Sequence, residues 1–533
     1  MTKINFAKNK KHNMRLTNIL SGFLLFGAIC CSKPVPPPPV DPSDVVPGLK
    51  PDVEVEEPDF GEEVKVLPTP GSSKTYSPSL LNKTYRPVAT KYKVDVTGAW
   101  RSAEARILPY LGGFDNWKMS RAEYVTSTNK YGSSTTLPKQ ESTGRFYVKK
   151  IGNRFWLVDP YGYLHHHRGL AALRPTNGEE DNAAFIAKYG NRATWATELQ
   201  EEMASIGFHA SGAFATGANE DLIAHNQRNS EKPFMLCPNF NFLNSFKTTY
   251  KDLKYCNNNS NTAICFVLDD RWEQFCKDYI ADREGSVWKF LNDPNVVGIF
   301  SDNEIDFSST STKLLSRVLD SGNTEHPAYK AAQAFMNEKG ATTVTAELNE
   351  EWVGILAEKY YKGIKEGLMA SDPKMLYLGS RLHGAPKQYQ SIIAAAGKWC
   401  DVISINYYSK WSVEALEHVK KWAEWAPDTP FMVTEFYTKG DDSELGNING
   451  AGFIVPTQKD RAYAYQHFAL GLLEAKNCVG WHYFKYKDDD TTDNDEPSNK
   501  GFYDNNYNLY PWMAEYAKNL NYNVYRLIEY FDN

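Results

Sequence analysis

Two glutamates in this chain stand where paired carboxyls do chemistry. Glu304 follows an apolar run at 296–300, and Glu435 follows another at 431–434. Two carboxyls about 5–5.5 Å apart can cleave an acetal with retention, one protonating the leaving oxygen while the other attacks the anomeric carbon. Their distance along the chain is immaterial, but both side chains must point into one cavity. Their surroundings must also differ enough to hold one carboxyl protonated and the other ionised. An acid at a strand end is ordinarily a solvated surface group; here the neighbouring residues lift the pair above that background. Arg381 and His383, just after the run at 375–378, carry donors suited to sugar hydroxyls, although Arg381 serves equally well as a structural ion-pair partner.

Carboxyls so far apart in sequence meet only if a repeating scaffold carries both to one end. From Gly144 onward short β-type runs alternate with longer helical ones, the pattern of βα units and a parallel sheet. A hairpin opens the series, 145–149 against 155–159 around Gly152 and Asn153. Strands are then predicted at 163–170, 209–214, 233–239, 296–300, 375–378, 402–407, 431–434 and 479–484. Helices are predicted at 193–205, 269–290 and 346–369, and a further one opens at Thr457 with Asp460 completing a capping box. Eight strands separated by helices count out to an α/β fold, a (β/α)8 TIM barrel over 144–533, with 83–143 as a short β-rich extension packed on it. In such a barrel the working residues gather at the carboxyl ends of the strands, which is where Glu304 and Glu435 fall.

Asn303-Glu304 and Thr434-Glu435-Phe436 together resemble the paired signatures of clan A glycoside hydrolases. The resemblance implies that Glu304 is the acid/base, Glu435 the nucleophile, and Asn303 a partner of the sugar 2-hydroxyl. The run from Asp401 to Tyr408, which includes Asn406, is similar to clan strands whose terminal tyrosine hydrogen-bonds the nucleophile. That implies Tyr408, or else Tyr407, beside Glu435, with Asn406 at the substrate; core packing would also explain either tyrosine. Within the clan, four stretches resemble glycoside hydrolase family 50, the β-agarases: Phe155-Trp156-Leu157-Val158-Asp159-Pro160-Tyr161-Gly162, the approach from Asp293 to Glu304, Tyr377-Leu378-Gly379-Ser380-Arg381, and Val479-Gly480-Trp481-His482-Tyr483-Phe484. The likeness runs over roughly 144–504 and implies Trp481 and His482 at the sugar, Trp481 as an aromatic platform, a role that competes with core packing. Those agarases usually carry a large amino-terminal carbohydrate-binding domain; only 83–143 stands in its place here.

Lys3, Lys8, Lys10, Lys11 and Arg15 precede an apolar stretch at 19–29 that ends at Cys30 and Cys31. This reads as a secretory signal over 1–31, too short for a permanent span. Its cysteines resemble a bacterial lipobox, with Cys31 as the expected lipidation site and plain secretion as the alternative. Residues 32–82 are rich in proline and form an extended tether. The expected location is therefore the bacterial cell envelope, lipid-anchored at the outer membrane or in the periplasm, or else outside the cell. Six cysteines remain, none in a metal-binding spacing, and Cys256 and Cys265 flank an Asn-rich turn as a disulfide or as buried thiols. His165, His166 and His167 alternate faces in a strand, so no metal site is expected. Asp488, Asp489, Asp490, Asp493 and Asp495 read as a solvated loop.

A net charge of −6 without long single-sign blocks argues against a broad nucleic-acid face. Aromatic residues make up 14% of the chain, which suits both a large core and stacking on sugars. The expectation is a retaining β-glycosidase that cleaves an extracellular polysaccharide or its oligosaccharides, an agar-type galactan, without a cofactor and with membrane contact through a lipid anchor. The same residues would serve another clan A β-glycosidase, such as a β-galactosidase, β-mannanase or glucuronidase. A non-catalytic surface glycan-binding lipoprotein would share the tether and the aromatics but has no physical reason to keep both glutamates.

Overall fold

A computed structural model of the chain describes residues 85–533 apart from 176–182, 308–311, 414–417 and 491–496. The expected signal with Cys31 and the tether lie outside the described residues, as do Asp493 and Asp495. No helix among the described residues is long and apolar enough to cross a membrane.

The first element is an antiparallel hairpin, β1 (Tyr85–Tyr92) and β2 (Arg101–Leu111). A free strand edge exposes unpaired backbone groups, and β2 satisfies its own against the helix Gln458–Glu474. Arg106 N donates to His467 Nδ1 at 2.9 Å and Leu108 N to Gln466 Oε1 at 2.9 Å. That helix opens with the expected capping box, Thr457 and Asp460 each accepting the other's backbone N–H. Covered by the hairpin on one side and by the helix Pro511–Tyr522 on another, it is buried all round.

A second sheet comprises β3 (Tyr147–Ile151), β4 (Arg154–Val158) and β5 (Leu164–His165), all antiparallel. Its tight turn is made possible by Gly152, whose φ is +58°. The predicted strand at 163–170 is in fact two: β5 closes this sheet, the chain breaks at His166, and β6 (His167–Leu170) starts the parallel array.

Next come β7 (Ala210–Ser211), β8 (Met235–Leu236), β9 (Gly298–Ile299), β10 (Leu376–Tyr377), β11 (Ile403–Asn406) and β12 (Phe431–Glu435). After them, β13 (Thr438–Gly440) pairs with β14 (Phe453–Val455), and β15 (Cys478–Tyr483) ends the series. Six parallel strands form one sheet in the order β11-β12-β15-β6-β7-β8, while β9 and β10 pair with each other. Parallel bridges Leu236↔Val296 and Asn239↔Phe300 join β8 to β9, and Leu382↔Ile405 joins β10 to β11. Each of these eight strands thus neighbours the next parallel one in sequence, and β15 neighbours β6. The architecture is mixed α/β, with parallel strands buried on both faces, as their near-continuous apolar runs require.

Two apolar layers follow. Met235, Val297, Leu378, Val402, Met432 and Val479 pack together with Phe155 and Leu157 of β4 and with Phe146 just before β3. The larger layer lies between strands and helices and holds Trp195, Trp272, Trp422 and Trp481. Helices Arg192–Ser205 and Ala346–Ser371 lie where periodicity puts them. The helix predicted at 269–290 is shorter: it runs Trp272–Ala281 and gives way to a turn in which Gly285 N bonds Asp282 O at 2.9 Å. Cys256 and Cys265 are free, buried thiols. Asp488 and Asp489 are not solvated, because Asp488 accepts from Gly501 N at 2.7 Å and Tyr510 Oη at 2.6 Å, and Asp489 pairs with Lys485 and Lys500. Burial raises the Asp488 carboxyl to about 6, with Arg461 opposing.

Candidate active site

Glu304 lies in the loop leaving β9. Ser301 N bonds Gly379 O at 3.0 Å and Glu304 N bonds Ser380 O at 3.3 Å, so the loop is stitched to the segment leaving β10. Glu304 itself adopts φ +52°, in the left-handed region, and its side chain is about one-third exposed at 33%. A non-glycine backbone held in that region is maintained only by its surroundings. The anchor is Asp302, buried, which accepts the Tyr360 hydroxyl at 2.5 Å and Leu243 N at 3.3 Å. Burial raises its carboxyl to about 7, while Tyr360 and the backbone N–H groups act the other way.

Glu435 ends β12 and is buried. Tyr408 donates to its Oε2 at 2.5 Å, and the Arg381 guanidinium pairs with its Oε1 while also bonding Thr434 O at 3.3 Å. Burial pushes the Glu435 carboxyl up; Arg381 opposes this, Glu304 adds to it, and hydrogen bonds from Tyr408 and Asn406 favour the carboxylate. Asn406 reaches Glu304 and pairs in register with Glu435. Its Nδ2 donates to Glu304 Oε1 at 2.8 Å and approaches Asn303 Oδ1 at 3.3 Å, and its Oδ1 accepts from Thr434 Oγ1 at 2.8 Å. His383 borders the same space, with Nδ1 3.7 Å from Glu304 Oε2 and its ring edge-on to Tyr408. Its imidazole is held below the ordinary range by burial, with Glu304 opposing.

The residues singled out in the sequence therefore divide. Glu304, Glu435, Asn303, Asn406, Tyr408 and His383 come together. Tyr407 points the other way, packed on Trp422 and Phe468. Arg381 has no exposed side-chain surface and lies over the rings of Phe214 and Phe300, so it holds Glu435 instead of reaching sugar hydroxyls. Trp481 is not a platform: it is fully buried, and its indole N–H donates to Tyr465 at 3.2 Å on the helix side of β15. His482, one residue on, faces the opposite way and is equally enclosed, edge-on to Phe300, so it too lies out of a sugar's reach. The aromatic side chain left partly exposed at this strand end is Phe484, near Tyr437 and Phe214. Asp302, Tyr360 and Phe214 were missed in sequence; only the acidic residue beside Asn303-Glu304 offered a signal.

Solved structures set this site in context. The crystal structure of BpGH50 superposes with a TM-score of 0.81 at 46% identity, over 86% of this chain and 99% of that one. This chain belongs to glycoside hydrolase family 50. An agarase, AgWH50C, shares the fold at 21% identity with a TM-score of 0.59, over 75% of this chain and 66% of its own. β-Agarase B of Vibrio sp. (strain JT0107) is 23% identical over 510 residues, 79% of this chain and 52% of its own length. The family 50 chain thus spans about half the length of that agarase. No protein-family model matches the sequence.

Proposed function

We propose that this family 50 chain is a retaining β-glycoside hydrolase built on a (β/α)8 barrel and acting on an agar-type galactan or its oligosaccharides. The observation that carries the reading is the gathering of the two carboxyls about one asparagine: Asn406 Nδ2 donates to Glu304 Oε1 at 2.8 Å, and Asn406 pairs in register with Glu435. Double displacement uses two carboxyls about 5–5.5 Å apart, a gap too short to seat a water between them. Glu435, ionised and held by Arg381 and Tyr408, attacks the anomeric carbon and forms a glycosyl ester. Glu304, the less enclosed of the two, protonates the departing oxygen. In the second step Glu304 takes a proton from water, which attacks the same carbon and frees Glu435. The galactan assignment is supported by the names of the agarase relatives.

The test pairs two substitutions. Glu435→Gln abolishes turnover and leaves glycan binding in place; retained turnover removes the nucleophile assignment. Glu304→Ala slows poor leaving groups far more than activated aryl glycosides, and equal losses on both remove the acid role. A chain that binds agar oligosaccharides but never cleaves them, before any substitution, would be the glycan-binding alternative. The basic, apolar and cysteine-containing segment at 1–31 supports attachment to the envelope through Cys31; loss of membrane fractionation in Cys31→Ala checks it.

A further inference from the structure

Beneath the Arg381–Glu435 pair, three donor atoms from three strands converge. His167 Nε2 lies 2.9 Å from His482 Nε2 and 3.5 Å from Cys237 Sγ, and all three lie within 4.8 Å of one another. His167 opens β6, His482 lies in β15, and Cys237 follows β8; each is at most 1% exposed. The His482 ring is wedged in place, since a Cβ added at Gly212 would meet its Nδ1 at 2.7 Å and one at Gly169 its Cδ2 at 2.9 Å.

Hydrogen bonds alone serve this triad poorly. His167 Nδ1 faces His165 Nε2 at 3.2 Å, and His165 Nδ1 faces Ser133 Oγ at 3.1 Å. If that relay runs outward, His167 carries its proton on Nδ1 and presents a bare Nε2 lone pair to both His482 and Cys237. Two donors then compete for one lone pair, and His482 Nδ1 remains a buried acceptor without a partner. If it runs inward, His167 Nε2–H satisfies His482, but the thiol loses its acceptor and His482 Nδ1–H is buried unpaired. A metal ion at the point of convergence uses all three lone pairs at once, leaving His482 Nδ1–H as the one group without a partner, and the outward relay through His165 and Ser133 is then the outer partner that fixes a ligating imidazole's tautomer.

We propose that His167, Cys237 and His482 bind one monovalent copper ion. A thiolate with two imidazoles is a soft donor set that suits copper or zinc. Charge decides between them. Both imidazoles are neutral ligands, and Arg168 and Arg381 already place positive charge nearby. The thiolate cancels the single charge of Cu(I), whereas Zn(II) would leave one net positive charge in a dry interior beside the Arg168 guanidinium, since the Arg381 charge is already balanced by Glu435. Binding exchanges the thiol proton for the ion: the S–H bond breaks, a Cu–S bond forms, the proton leaves to solvent, and no electron is transferred. The ion ties β6, β15 and the end of β8 together under the site. Because the triad is enclosed, loading accompanies folding.

The experiment is to express the full chain in copper-supplemented medium, desalt it and count metals by plasma mass spectrometry. One copper per chain is expected, with X-ray absorption showing two nitrogens and one sulfur, and a melting temperature several degrees above that of metal-free protein. Cys237→Ser and His482→Gln should each retain under a tenth of that copper. Wild-type protein without stoichiometric copper overturns the proposal, as does copper retained equally by both variants. Stoichiometric zinc in place of copper overturns the monovalent assignment. Should the variants fail to fold, the absorption spectrum of the wild type decides on its own, since a shell lacking sulfur excludes Cys237.

Discussion

Removing one hydroxyl beside Glu435 should move the acid limb of the activity. Tyr408 donates to Glu435 Oε2 at 2.5 Å, and both side chains are buried. A hydrogen bond to a charged group contributes about 1.5–3 kcal/mol, and each pKa unit corresponds to about 1.4 kcal/mol. Tyr408→Phe therefore weakens Glu435 as an acid by roughly one to two units. The sign is fixed by the chemistry: burial already raises this carboxyl, the deleted bond favoured the carboxylate, and a nucleophile must be ionised. The acidic limb of kcat/KM should move to higher pH by about one to two units. At alkaline pH the loss should be smaller, because Arg381 still holds the carboxylate. The assay is kcat/KM between about pH 4 and pH 9 on an agar oligosaccharide. Tyr407→Phe is the control, since that ring packs on Trp422 and Phe468 away from the carboxyl, and its limb should stay put. A Tyr408→Phe profile lowered evenly across the range, with its limb unmoved, would refute the claim that this hydroxyl keeps Glu435 ionised.

Asp302→Asn should flatten the pH dependence of stability. The folded carboxyl sits at about 7 against an ordinary 3.8, so the native state holds the proton more tightly and loses stability as pH rises from about 4 to about 7. The loss is on the order of 4 kcal/mol at most, and the asparagine has no proton to lose. Denaturant midpoints at mildly acidic and mildly alkaline pH check it, and an unchanged slope contradicts it. Trp481→Ala should cost about 3–5 kcal/mol of stability while leaving KM of the folded protein near the parent value. A large rise in KM with stability intact would return Trp481 to the substrate.

What the sequence made legible was whatever depends on period and composition. The parallel strands sit at or within the predicted runs to within a residue or so, because apolar stretches bounded by turn residues leave little choice. The capping box at Thr457 is local chemistry and needed no tertiary information. The helix expected over 269–290 stops early because Asp282-Arg283-Glu284-Gly285 makes a turn, with Gly285 a residue that disfavours helix. Asp488 and Asp489 were misread for another reason: charge composition implies solvent, but the partners that enclose them, Arg461, Tyr510, Lys485 and Lys500, come from other parts of the chain.

The site residues failed where facing mattered. A strand shows alternate faces, so knowing that Trp481 and His482 end β15 does not say which turns inward, and neither reaches the mouth. Arg381 was left between two roles for want of its partner, which lies across two strands. The decisive feature is a register shift. Ile405 pairs with Val433, yet Asn406 pairs with Glu435, so β12 carries one residue more than β11 at this point, and that residue is Thr434. A bulge of this kind re-aims a side chain and recurs beside active sites. Here it brings Glu435 level with Asn406, while the displaced Thr434 turns its hydroxyl to Asn406 Oδ1 and its carbonyl to Arg381. Without the extra residue, Thr434 would stand opposite Asn406 and Glu435 would rotate to the other face, away from Glu304. One inserted residue thus places the Glu435 carboxyl, Asn406 and Arg381 together, and nothing in the local sequence of β12 announces it.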